Sequence, residues 1–372
     1  MTVTASRADT HKPTRALPAL SVGKLLLQVR AFLALVVVIV VFSILSPNYL
    51  TVDNVLTMSS HVAIYALLAL GMLLVILNGG IDLSVGSTLG LSGVVAGWLM
   101  QGLRSSTFGV TFFPAVWVVA IVCILVGALV GLVNGILVAR FKVAPFVATL
   151  GTLYVVRGIG LLKTNGLTYD NLSGDPKLGN TGFNWLGFNK LFGVPVGVLI
   201  MIVVAALISL SLNRSVFGRW LYSSGGNERA AELSGVPVRK VKVRVYVISG
   251  ACAAIAGLIL SSELTSAGPT AGTSYELTAI AAVVIGGAAL TGGRGTVLGT
   301  LLGAFVIGFL SDGLVIIGVS SYWQTVFTGS VIVLAVLLNS AQYARRRRGR
   351  KAEPAPSVTA GSDAKPEPAA MT

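Results

Sequence analysis

Along this chain apolar residues come in long unbroken runs, and polar residues gather between them. From Ala31 to Phe42 there is no polar side chain at all. Runs of this kind recur at about 30–46, 58–77, 84–101, 114–139, 145–163, 194–212, 243–261, 276–291, 296–313 and 322–340. Each approaches the twenty or so residues a helix needs to cross the hydrocarbon core. A helix satisfies its own backbone groups inside lipid, and continuous runs without period-two alternation favour helices over strands. The pattern predicts an all-α integral membrane protein of about ten transmembrane helices. The segments 84–101 and 276–291 are the least regular, being dotted with Gly, Ser and Thr. Residues 1–29 read as a disordered cytoplasmic arm and 30–340 as the transmembrane domain, with a long polar connection over 213–242. Residues 341–372 read as a basic, then Ala- and Pro-rich, disordered tail.

Composition sharpens this. Apolar residues make up 54% of the chain and charged ones 11%, against about a quarter charged in soluble domains. A net charge of +14 could point to nucleic acid, but its placement does not. Of the 27 Lys and Arg, 22 fall on the side shared with the N-terminus, four fall opposite, and Arg157 lies within a span. That asymmetry predicts an even number of spans with both termini cytoplasmic, and contact with anionic lipid rather than a nucleic-acid partner. Cys123 and Cys252 sit in apolar runs and read as small hydrophobes, with no metal motif and no basis for a disulfide.

An internal repeat is visible at an offset of 213 residues: Gly79, Gly80, Gly86 and Gly90 fall on Gly292, Gly293, Gly299 and Gly303. The same offset carries spans one to four onto spans seven to ten. Each pair runs in the same direction, so the repeat is expected to be parallel, about an axis along the membrane normal.

Candidate chemistry is sparse. No G-x-x-x-x-G-K-[ST] occurs to cradle a nucleotide, and no His, Cys or carboxylate cluster has metal-ligand spacing. Nothing supports a catalytic centre. His61 is expected at the outer mouth of span two in a solvated or capping role, and Glu263, Glu276 and Asp312 at or near outer ends. Arg157, well inside span five, can snorkel, pair with a carboxylate or line a polar path. The shortage of carboxylates within spans weighs against an ion-coupled carrier. The segment from Asn78 to Ser87, with Gly79, Gly80, Asp82 and Ser84, separates spans two and three. Its glycines permit a sharp turn and Asp82 can cap the next helix. Two readings stay open: a tight connection, or a broken helix beside a transport path. The long basic loop after span six carries Asn227-Glu228-Arg229-Ala230-Ala231-Glu232-Leu233-Ser234-Gly235-Val236-Pro237. Asn227 suits an N-cap, Glu228 the positive helix end, Gly235 a C′ position and Pro237 a stop. A two-turn helix on the cytoplasmic face follows, resting on headgroups or docking into a groove on another protein.

These residues resemble a known family. Ala230, Ala231 and Gly235 are similar to the coupling-loop signature of permease subunits in binding-protein-dependent ABC importers, although Arg229 stands where a Glu normally precedes the alanines, with Glu228 one place earlier. The run from Gly79 to Ser87 resembles the hallmark of the ribose-type branch. So do Asn134-Gly135, Ala139 to Thr152, Arg157-Gly158, Gly225-Gly226-Asn227, Tyr275-Glu276-Leu277, Gly292 to Gly295 and Gly318 to Gln324. The resemblance spans roughly residues 45–340. It implies a pore-forming subunit working in pairs, as homodimer or heterodimer, that imports a monosaccharide such as a ribose-like pentose. It implies ATPase subunits holding ATP and Mg, an extracytoplasmic sugar-binding protein, no cofactor on this chain, and a bacterial plasma-membrane location. Asn227, Glu228, Ala230, Ala231 and Gly235 become the expected ATPase-docking loop, and Gly79, Gly80, Asp82, Ser84 and Arg157 a candidate translocation path or gate. Related branches carry nucleosides, autoinducer-2 or branched-chain amino acids, and a stand-alone secondary carrier is the alternative from another class.

Overall fold

The computed structural model describes residues 22–104 and 111–331, together with 333, 334 and 337. The helices are α1 (Val22–Leu45), α2 (Val52–Leu77), α3 (Val85–Met100), α4 (Val116–Ala139), α5 (Pro145–Thr164), α6 (Trp185–Phe188), α7 (Val196–Arg214), α8 (Val216–Gly226), α9 (Glu228–Leu233), α10 (Val238–Glu263), α11 (Tyr275–Ile285) and α12 (Val297–Ile316). A further helical segment covers 321–331. Two small hairpins, β1 (Leu103–Arg104) with β2 (Thr111–Phe112) and β3 (Lys190–Leu191) with β4 (Val194–Pro195), are antiparallel.

Among the described residues six helices are long and apolar enough to cross a membrane: α2, α4, α5, α7, α10 and α12. Ala31–Leu45, α3 and α11 are shorter apolar helices. At 1.5 Å per residue α11 is about 16 Å long, well short of a bilayer core of about 30 Å. It ends at Ile285 rather than at the expected 291, because Gly286 and Gly287 follow. Helix α1 begins at Val22, before the expected start of span one, so part of the expected arm is helical. The rest of that arm, 1–21, and the tail 341–372 lie outside the described residues.

Helix α2 is the axis of the fold. From Val62 to Leu77 every residue except Tyr65 is buried, as expected of a helix apolar all round. α7, α10, α11 and α12 pack around it. The outer helices are built the other way: α4 turns Trp117, Ile121, Leu125 and Leu129 outward and Gly127, Gly131 and Gly135 inward. Large apolar groups outside and small ones at the interface is the arrangement that packing in lipid favours. The connection from α5 to α7 forms a folded cap rather than a loose loop. Leu172 and Phe183 bury against α3, α4 and α10, Asn180 donates to the Met100 carbonyl at 2.9 Å, and Ser262 donates to the Phe183 carbonyl at 2.7 Å.

Candidate functional site

The α2–α3 turn is held by a buried polar network. Asp82 is 1% exposed. Its carboxylate accepts from the Ser84 backbone N–H at 3.0 Å, the Ser84 hydroxyl at 2.7 Å and the Ser249 hydroxyl of α10 at 3.1 Å. Asn134 of α4 donates to Ser84 Oγ at 2.8 Å, and Thr149 of α5 to the Ile81 carbonyl at 3.1 Å. One short turn thus ties three helices together; Asp82 and Ser84 are paired where an unpaired polar group would be costly, whereas Asn134 Oδ1 has no partner among the described residues. Asp82 is not the cap of α3. The N-cap is Ser84, and Asp82 bonds that residue's N–H two positions on, because α3 begins only at Val85. The two glycines divide their work: Gly79 has φ +79°, whereas Gly80 is needed for space, since a Cβ there would sit 2.7 Å from Tyr246 Oη. Arg157 makes no salt bridge among the described residues. Its Nη1 donates to the Pro269 and Ala271 carbonyls at 2.6 and 2.8 Å, pinning the turn before α11.

Below that turn three glycine pairs converge. Gly293 N–H donates to the Leu77 carbonyl at 2.9 Å. A Cβ on Gly225 would collide with the same carbonyl, and one on Gly292, at φ +88°, would lie 2.6 Å from the Gly225 carbonyl and 3.1 Å from Gly79 N. Asn78 donates to Ser224 Oγ at 3.0 Å, and Tyr222 Oη to the Gly295 carbonyl at 2.8 Å. The end of α8 is therefore clamped onto both turns, 78–80 and 291–293.

Helix α9 projects directly from this clamp. The Asn227 side chain accepts from Ala230 N–H at 3.0 Å. Gly235, at φ +83°, donates to the Glu232 carbonyl while Val236 donates to that of Ala231, the paired bonds of a Schellman end. Lys242 of α10 reaches both Glu228 oxygens at 2.7 and 2.8 Å. The helix is thus capped, stopped and tethered. Ala231 faces inward and is buried, whereas Ala230 is exposed and Leu233 is 84% exposed.

On the opposite end a cavity of about 630 Å³ opens between α2, α10 and the segment leading into α11. His61, Tyr65, Glu263 and Tyr275 line it. His61 Nδ1 lies 3.1 Å from both Asp312 oxygens, and the Tyr65 and Tyr275 rings sit 5.1 Å apart. A solvated or capping His61 is all that the sequence suggests, and nothing in the sequence brings these groups together. They come from three distant stretches, brought together where α10, α11 and α12 pack on α2.

The expected site residues thus fall into separate places. Gly79, Gly80, Asp82 and Ser84 form one turn; Asn227, Glu228, Ala230, Ala231 and Gly235 form the projecting helix joined to it; Arg157 braces another turn. Among the described residues no three His, Cys, Asp or Glu gather as metal ligands would.

Comparison with known proteins places this architecture. The family model described as the permease component of branched-chain amino acid transport systems matches residues 54–336. The ribose import permease RbsC of Haemophilus influenzae is 42% identical over 320 residues, covering 86% of this chain and 95% of the relative. RbsC of Bacillus subtilis is 44% identical over 313 residues, covering 83% and 91%. The galactose/methyl galactoside import permease MglC of Salmonella typhimurium is 35% identical over 324 residues, covering 85% and 95%. No solved structure matches. With a clamped, capped surface helix in the position of the coupling signature and likeness running nearly end to end, the chain belongs to this permease family, in its ribose-type ABC importer branch, and is a multi-pass protein of the cytoplasmic membrane.

Proposed function

We propose that this chain is the translocating subunit of an importer for a ribose-like monosaccharide, working as one of a pair of permease chains. Ten apolar segments cross the membrane with both termini cytoplasmic, the short α11 crossing together with the non-helical residues 286–291 that follow it, and spans one to four are repeated in parallel by spans seven to ten. Gly79 and Gly292 support the repeat, since equivalent positions in the two halves share a positive φ and abut. ATP and Mg belong to partner ATPase subunits, and this chain performs no chemistry of its own. An extracytoplasmic binding protein delivers the sugar to the outer face.

The observation that carries the mechanism is the clamp between α8 and the two inner turns. ATP-driven movement of the ATPase displaces α9, on which Ala230 and Leu233 are the exposed apolar contacts. The Lys242–Glu228 pair and the capped helix make α9 move as a unit with the start of α10. Gly225, packed on the Leu77 carbonyl, passes that displacement to the turns at 78–84 and 291–293. The Asp82–Ser84–Ser249–Asn134 network then moves α3, α4 and α10 relative to α2. Asp82 and Ser84 are buried, so in this conformation they hold the path closed rather than line an open one. The test is a reconstituted complex with permease, ATPase and binding protein. Leu233→Asp is expected to abolish sugar-stimulated ATP hydrolysis and uptake while leaving membrane insertion intact; full stimulation by that variant contradicts the reading.

A further inference from the structure

The inner ends of α4 and α10 enclose a concavity of about 730 Å³ lined by Ile136, Ala139, Arg140, Arg239, Lys240, Val243 and Arg244. Its four cations come from two helices, and no acidic residue lines it. Among the described residues none of the four has a carboxylate at ion-pair distance. Their neighbour Lys242 differs, being paired with Glu228 on the other side of α10. The division follows helix geometry, since 239, 240, 243 and 244 share a stripe that 242 does not.

Like charges are held together here by small-residue packing. A Cβ on Gly135 would lie 2.8 Å from Val243 Cα, and higher up Gly131 meets the Tyr246 carbonyl and Gly127 that of Gly250. These contacts draw α4 against α10 and leave four uncompensated cations around one hollow, where an anion would relieve their repulsion. The wall beside the cations is apolar: Ile136 stands one turn deeper than Arg140, Val243 one turn deeper than Arg239 and Lys240, and the exposed face of α4 continues outward as Val133, Leu129 and Leu125. A phosphate at the cations with acyl chains along that face matches both surfaces. A free anion would use only the first.

We propose that this concavity binds the headgroup of an anionic phospholipid at the membrane surface. The inference rests on the membrane placement of the chain and not on its cargo, so lipid retention reads out even where sugar uptake fails. The probe is phosphatidylglycerol. The purified full-length chain goes into phosphatidylcholine nanodiscs with and without it, followed by thermal unfolding and native mass spectrometry. The wild type should retain phosphatidylglycerol and unfold at a higher temperature in its presence. Arg140→Gln/Arg244→Gln should weaken retention by about tenfold or more, from about 1 kcal/mol per surface cation. Lys240→Gln alone is the milder variant should the pair fail to insert, and Arg219→Gln, outside the hollow, should keep full retention. Equal retention by wild type and the hollow's variants overturns the proposal. So does an equal thermal rise produced by inorganic phosphate alone, which marks a simple anion site. Loss of the ATPase subunit on copurification with lipid retention unchanged marks a protein contact, and also overturns it.

Discussion

At the residue scale the junction under α2 depends on atoms that are missing. Gly225 has no Cβ, and so the Leu77 carbonyl can approach and still accept from Gly293. Overpacking of a tight site costs about 1–3 kcal/mol, so Gly225→Ala should lower the thermal midpoint of the purified permease and weaken coupling. The adjacent Gly226 has open space around its Cβ direction. Gly226→Ala should leave the midpoint unchanged, and equal effects at the two positions would deny the clamp its role. Asp82 gives a second case. Its three donors come from two residues, Ser84 and Ser249, and removing the carboxylate leaves buried hydroxyls without an acceptor, at about 1–3 kcal/mol. Asp82→Ala should destabilise by that order. A double-mutant cycle with Ser249→Ala should show a coupling above about 0.5 kcal/mol; strict additivity in the unfolding measurement would remove Ser249 from the network.

At the element scale α9 separates what packs inward from what faces outward. Alanine at 230 and 231 reads alike in the sequence, yet only Ala231 is buried. Ala231→Glu should therefore destabilise the permease itself, because it buries an unpaired charge. Ala230→Glu and Leu233→Asp should spare its thermal midpoint and instead reduce copurification with the ATPase. A matched loss of permease stability in all three would mean that α9 is only an internal prop. The caps of this helix were legible beforehand, since Asn227, Gly235 and Pro237 act through local chemistry. Helix α8 was not, as its Gly218, Gly225 and Gly226 suggest a loop; Gly218 is instead a close-packing site against Leu212, and the Ser215 side chain accepts from its N–H as an N-cap. The length of α11 is hidden for the reverse reason: residues 286–291 are apolar enough to look membrane-spanning, while Gly286 and Gly287 end the helix. The partner carbonyls of Arg157, more than a hundred positions away, leave no local signal.

At the scale of the whole molecule, α2 is wrapped by its neighbours, the cap 165–195 closes one end, and α8–α9 stand at the other. Phe192 is 94% exposed in that cap, whereas Asn180 is buried. Phe192→Cys and Ser223→Cys should label from opposite sides of the membrane with an impermeant thiol reagent, Ser223→Cys only from the cytoplasm; labelling from one side would break the ten-span arrangement. In the proposed mechanism sugar crosses through this chain only when ATP is hydrolysed on partner subunits and the force arrives through α9. The most direct measurement is uptake of labelled ribose into proteoliposomes holding the permease and its ATPase, with binding protein outside and ATP inside. That mechanism requires saturable uptake that needs all four components and disappears in Leu233→Asp. Ribose uptake by the permease alone, without ATP or partners, would contradict it.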